Sequence, residues 1–346
     1  MPIPLLRPLT IGQIIDRAIR LYRNHFWTFL SIVAVVQVPV ALVQVINALI
    51  ALTEDITLIA LSGLGTILII LVSVLANQVA TAALARSVAD VYLGRESSFA
   101  AAYRSVLPLI VNLFVTLIVT ALIGIGLLIV AVIIPLAGWV VGMAVLFFFS
   151  GVIVPLVGPI LVLERRAGFD VLRRGWDLAR RRFWPVVGYI VVLGLLVLAI
   201  TAGPSALLSY LSIFVWSGFD PAAPMTAQNM PQAPAWATIV QVLSNVTIQT
   251  LFLPIQLAAA SVLYFDLRVR TEGLDLELVL ARQNNEAVDL DALLANAPAP
   301  RQDQLVGSDE WSKFASLGCV FWIAVIGFIS VVGGLVAALA IMFSPF

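Results

Sequence analysis

Long apolar runs alternate along this chain with short polar segments that carry the arginines. A helix of about 20 apolar residues crosses a bilayer, and seven stretches reach that length: 26–52, 56–85, 106–133, 136–163, 183–211, 237–265 and 317–343. Most exceed it, so tilt or protruding ends are expected. The third and fourth stretches almost merge, and Pro135 and Gly138 mark the turn between them. Shorter segments have a different period. Ile11, Ile15, Ala18, Tyr22 and Phe26 recur at helical spacing, as do Phe169, Leu172, Trp176, Ala179 and Phe183, with arginines on the opposite faces. Thr10 and Gln13 fit the spacing of a capping box at the start of the first such helix.

These elements suggest three related units, each an amphipathic helix followed by two spans, starting near Thr10, Ser98 and Gly168. The ungapped comparison of 15–27 with 172–184 aligns Arg17 with Arg174, Leu21 with Leu178, Arg23 with Arg180, Phe26 with Phe183 and Trp27 with Trp184. The middle unit follows this pattern poorly. The fold expected is therefore all-α: a polytopic transmembrane helical bundle, with six core spans in repeated amphipathic-helix-plus-two-span units and a seventh, C-terminal span. As domains, residues 1–280 read as the six-span membrane domain, 281–312 as a polar flexible linker and 313–346 as the C-terminal transmembrane helix.

Composition strengthens the membrane reading. Of 346 residues, 62% are hydrophobic and 11% charged, against about 25% charged in soluble domains. Every Arg and the single lysine, Lys313, fall before the first span or in alternate connections; the other connections carry none. The positive-inside rule then places the N-terminus in the cytoplasm of a multi-pass plasma-membrane protein. The first apolar run is too long for a signal-peptide core and lacks an A-x-A site, so no cleaved leader is expected. One cysteine, Cys319, excludes an intramolecular disulfide and a Cys-based metal site. The net charge of zero gives no reason to expect a nucleic-acid partner.

Three stretches, Leu6–Leu30, Val162–Gly188 and above all LYFDLRVRTEGLDLELVL at 263–280, together resemble the glycerophosphoryl diester phosphodiesterase membrane domain family, over roughly residues 5–280. The resemblance implies a membrane region that fused relatives join to a catalytic barrel. That barrel needs a pair of histidines and several acidic metal ligands. This chain has His25 alone and no soluble stretch long enough for a barrel, so the activity is not carried over. No catalytic residue, cofactor or metal site is expected. His25, whose counterpart in the repeat comparison is Arg182, reads as an interfacial polar anchor.

Two groups of polar residues remain as candidates. Asp266 and Arg270, and Arg268 and Glu272, are four apart at the end of the sixth span and can pair on one helix, with Gly273 ending it. With Arg17, Arg23, Arg174 and Arg180 they form the candidate headgroup or partner contacts, the alternative being a structural ion-pair network. Amides form the second group: Gln37, Gln44 and Asn47 on span one, and Gln241, Asn245, Gln249 and Gln256 within roughly an 80° arc of span six. Asn77 and Gln78 on span two and Asn112 on span three add to them. Amides do not face lipid without cost. They mark either interhelical hydrogen bonds of about 0.6–2 kcal/mol or a polar seam between spans one and six. Pro39, Pro155, Pro159 and Pro254 lie within spans, as do Gly138 and Gly142 in a GxxxG pair. The leading functional expectation is non-enzymatic anchoring or organising of membrane components through the amphipathic helices, with membrane lipids, a protein partner or a second copy as partners. The alternatives are a transporter or lipid-handling protein using the seam, and a membrane partner of a separate phosphodiesterase-like enzyme.

Overall fold

A computed structural model describes residues 8–51, 56–92, 95, 97–135, 137–216, 235–283, 290–298 and 307–342. Among these the chain is helical with no strand. Short α1 (Ile11–Asn24) leads into the long α2 (Phe26–Ala51) and α3 (Ile56–Tyr92). Short α4 (Phe99–Val106) runs through a 3₁₀ turn into α5 (Ile110–Ile133), and α6 (Gly138–Leu163) follows. Short α7 (Phe169–Arg180) precedes α8 (Phe183–Trp216) and α9 (Ala235–Glu272). The order short, long, long thus recurs three times. After it come α10 (Leu274–Gln283), α11 (Leu290–Ala295) and α12 (Ser308–Met342). The predicted connections at 53–55 and, for the most part, 212–236 lie outside the described residues.

Among the described residues five helical stretches are long and apolar enough to cross a membrane: Phe26–Asn47, Phe99–Ile133, Gly138–Leu163, Phe183–Pro204 and Ile239–Glu272. Much of their large apolar surface faces outward, from Val38 and Leu42 on α2 to Val111 and Leu122 on α5 and Leu195 and Leu198 on α8. Water would not tolerate that coat, whereas lipid does. The chain is an all-α integral membrane protein.

Helix α9 is the central post, packing on α2, α3, α6, α8 and the amphipathic α1. Small residues let the helices approach, as in many membrane bundles. A Cβ on Gly158 of α6 would meet Thr81 Cγ2 at 2.7 Å and the Ala82 nitrogen at 3.0 Å on α3. Gly138 and Gly142 pack the start of α6 onto Ala131 of α5, so the GxxxG pair does mark a close contact. That stretch is a π-helical turn, as is Phe149–Ile153. Helix α12 docks there: Trp322 Nε1 donates to the Trp139 carbonyl at 2.9 Å, and Gly318 lies against the backbone of Val140.

The short helices differ from one another. Helix α1 starts with the predicted capping box, Thr10 and Gln13 each serving the other's backbone. It buries Ile14, Ile15 and Ala18 and leaves Asp16, Arg20 and Arg23 exposed. Helix α7 is buried almost throughout, including Arg174 and Asp177. It is a structural element of the bundle, whereas only α1 keeps a wide polar face. The segment expected to be a flexible linker is also ordered in part. Within it α11 is docked, Leu294 is buried, and α12 already begins at Ser308; residues 284–289 and 299–306 lie outside the described residues.

Candidate functional site

At the arginine-rich end of the bundle, five side chains close a ring of hydrogen bonds. Arg174 donates through Nε to both oxygens of Glu164, at 3.1 and 2.9 Å, and through Nη1 to Glu272. The other oxygen of Glu272 accepts from Arg268 Nε at 3.0 Å. Arg268 Nη1 donates to the Tyr264 hydroxyl at 3.2 Å, and that hydroxyl donates to Glu164 at 3.0 Å. Two guanidinium groups and two carboxylates cancel one another out of water, with Arg268 only 1% exposed. Arg166 joins from the rim, 3.0 Å from Glu164. Burial alone would lower the pKa of Arg174, but its bonds to Glu272 and Glu164 outweigh that and raise it.

The same arginines hold the polar tail. Arg268 donates to the Leu294 carbonyl at 3.0 Å, and Arg166 to the carbonyls of Ala297 and Pro298 at 2.9 and 2.8 Å. Arg86 bridges to Asp291 with both nitrogens. Beside the ring, α9 also clasps the N-terminal segment. The Leu9 amide donates to Asp266 at 2.7 Å, and its carbonyl accepts from Arg270 at 2.6 Å. Arg270 in turn grips Asp266 with its Nε, at 3.1 and 2.9 Å.

Of the predicted headgroup or partner contacts, Arg174, Arg268 and Glu272 therefore belong to the ring, and Asp266 and Arg270 to the Leu9 clasp. Arg180 pairs with Asp177 at 2.9 Å. Arg17 is half-buried, and Arg23 is exposed on α1. Both predicted pairs four apart form, and Gly273 ends α9 at φ +71°. His25 caps the C-terminus of α1 and stacks on Phe29. Glu164 was missed: an acidic residue closing an apolar run, beside Arg165–Arg166, is a signal visible in the sequence, but its partner Tyr264 is 100 residues away.

Deeper among the spans, Gln37, Asn245, Gln249 and Gln256 line one cavity of about 410 Å³, together with Asn77 and Thr201. Helices α2, α3, α8 and α9 contribute to it, so the seam between spans one and six is wider than its two predicted walls. Gln37 is 5% exposed and donates to Asn77 Oδ1 at 3.2 Å. Asn245 and Gln256 are half-buried and Gln249 is exposed. Gln44, Asn47 and Gln241 lie outside this lining, roughly 10 Å farther from the arginine-rich end at 1.5 Å per residue. Asn47 instead donates to Thr66 at 3.3 Å, an interhelical bond across to α3. The cavity offers amide and hydroxyl groups without a formal charge, a lining that can exchange hydrogen bonds with a neutral polar group. No family model, no curated protein and no solved structure matches the chain.

Proposed function

We propose that this integral membrane protein is non-enzymatic and binds a neutral polar solute, or the polar part of a lipid, in the amide-lined cavity. It serves there as a transporter or lipid-handling protein. The observation that carries this reading is the convergence of Gln37, Asn77, Thr201, Asn245, Gln249 and Gln256, from four helices, on one cavity of about 410 Å³. Amides with lipid on one side would be costly; water or a polar ligand removes the cost. A charged solute suits the lining less, because no ionisable side chain is among the lining residues.

The anchoring role through arginine-rich helices is the second reading, and one observation still favours it. Helix α1 presents Asp16, Arg20 and Arg23 outward, a surface fit for a partner or for anionic headgroups in the cytoplasm. Helix α7 supports it less, since Arg174 and Arg180 are spent on internal pairs. The resemblance to the glycerophosphoryl diester phosphodiesterase membrane domain is compatible with either reading, including service as the membrane partner of a separate enzyme.

Solvent access at Gln249 tests the first reading. In a Cys319→Ser background, Gln249→Cys is treated in intact cells and in inverted vesicles with a membrane-impermeant maleimide. Rapid labelling from one side is expected. Absence of labelling from both sides, in protein that labels after denaturation, would mean a dry seam and would leave anchoring as the better account.

A further inference from the structure

A second cavity, of about 500 Å³, lies beside the Leu9 clasp, at the junction of α1, the start of α8 and the end of α9. Its walls are mostly apolar, formed by Ile14, Pro185, Val186 and Leu263 among others. Its polar features are few, and the one carboxylate among them, Asp266, is held by the Leu9 amide and Arg270. Thr10, Ile11 and Gly12 bring the N-terminus of α1 to it. The capping box takes up the amides of Thr10 and Gln13, which leaves those of Ile11 and Gly12 as first-turn donors without an intrahelical acceptor. A Cβ built on Gly12 would meet nothing within 4 Å, so this backbone can be approached closely. Arg182 lines the cavity and is exposed. Arg270 is there too, but its charge is matched by Asp266. The independent sign of a ligand is Tyr189. It lines the same cavity, is only 2% exposed, and its hydroxyl is buried without a hydrogen-bond partner.

We infer that this cavity holds an anionic phospholipid, with the phosphate between Arg182 and the N-terminus of α1 and the Tyr189 hydroxyl donating to one of its oxygens. Helix N-termini favour anions through their free amides and the helix dipole. Arginine adds the charge-assisted donors that suit phosphate. The apolar walls take the glycerol backbone and the first methylenes, and the site sits where α8 enters the apolar layer at Phe183–Trp184, the depth at which aromatic residues favour the interface. A free phosphate shares the head chemistry but leaves the apolar walls uncovered, so the lipid is the source assigned. The inference is independent of the amide cavity, since no residue lines both.

The test is lipid retention by the full-length protein purified from mixed micelles of phosphatidylglycerol and phosphatidylcholine, read by native mass spectrometry. Preferential retention of one phosphatidylglycerol is expected. Arg182→Gln should weaken it by about fivefold, the worth of one arginine at a membrane surface. Tyr189→Phe, which keeps the ring and hence the packing, should also weaken it. Arg181→Gln, an identical charge change one residue away whose native bond is to the Thr271 carbonyl, should leave retention unchanged. Equal retention of the two lipids, or equal losses in Arg182→Gln and Arg181→Gln, would overturn the site. Displacement of the lipid by millimolar inorganic phosphate would overturn the assignment to a lipid.

Discussion

At the scale of single residues, the buried ring is the part of the molecule most sensitive to substitution. Its members neutralise each other only while all are present. Removing one partner from a buried pair costs about 3–5 kcal/mol, because the other charge is stranded. Glu164→Gln leaves Arg174 with a single carboxylate and Tyr264 with a poorer acceptor, so a loss of that order is expected in a detergent melt. Arg20→Gln should do almost nothing, since its pair with Asp16 is exposed on both sides. Asp291 shows how the same chemistry responds to pH. Burial pushes its carboxyl up, but the bond from Arg86 and the charges of Arg86 and Arg95 outweigh that and hold it below the usual range. A depressed carboxyl stabilises the fold above its unfolded pKa, about 3.9, and loses that contribution as pH falls through the lower native value. Asp90 has the opposite sign: burial, only partly offset by Arg86, raises it. The docking of α11 should therefore be insensitive to Asp291 ionisation from pH 5 to 8 and loosen below about pH 4. Hydrogen exchange at residues 290–295 would follow it. Earlier loosening in wild type that Asp291→Asn does not share would overturn this account.

At the scale of elements, close helix contacts decide what can be changed. Helix α12 rests on the π turn of α6 at Gly318, where an added Cβ would meet the Val140 carbonyl oxygen well inside contact distance. Gly318→Leu should lift α12 from the bundle. Impermeant labelling of Cys319 and limited proteolysis after residue 298 would report faster reaction, and unchanged rates would mean the contact is not close. Much at this scale was legible beforehand. The capping box at Thr10, the glycine stop at Gly273, the pairs four apart on α9 and the GxxxG contact are all local, and short spacing specifies them. Burial of α7 was not legible, because an amphipathic pattern reports an apolar face without saying whether protein or lipid covers it. The two π turns left no period of their own to read. The ring and the Leu9 clasp escaped for another reason: they join residues 100 and 257 positions apart, and nothing in the local pattern selects such partners.

At the scale of the molecule, two layers differ in character. The spans carry uncharged amides around one cavity, and the arginine-rich end carries buried ion pairs beside exposed arginines such as Arg23 and Arg182. On the proposed function, the uncharged layer is the one that admits the polar group. That division also fixes which half of the seam could be read in advance. The amides of α9 follow one helical arc and were visible, whereas Thr201 and the bond from Gln37 to Asn77 depend on how α8 and α3 pack.

The ring also sets a timetable for biosynthesis. Glu164 and Arg174 leave the ribosome about a hundred residues before Tyr264, Arg268 and Glu272, a wait of roughly 5–20 s at 5–20 residues per second. Throughout that interval the early pair has only itself and Arg166, and α9, the post on which α2, α3, α6 and α8 lean, has yet to be made. The ring consequently stays open, with its early charges unmatched by α9, until the last strongly charged turn of that helix arrives. A chain that stops short of Tyr264 would keep the ring open permanently, a mark by which membrane quality control could tell an unfinished copy from a finished one.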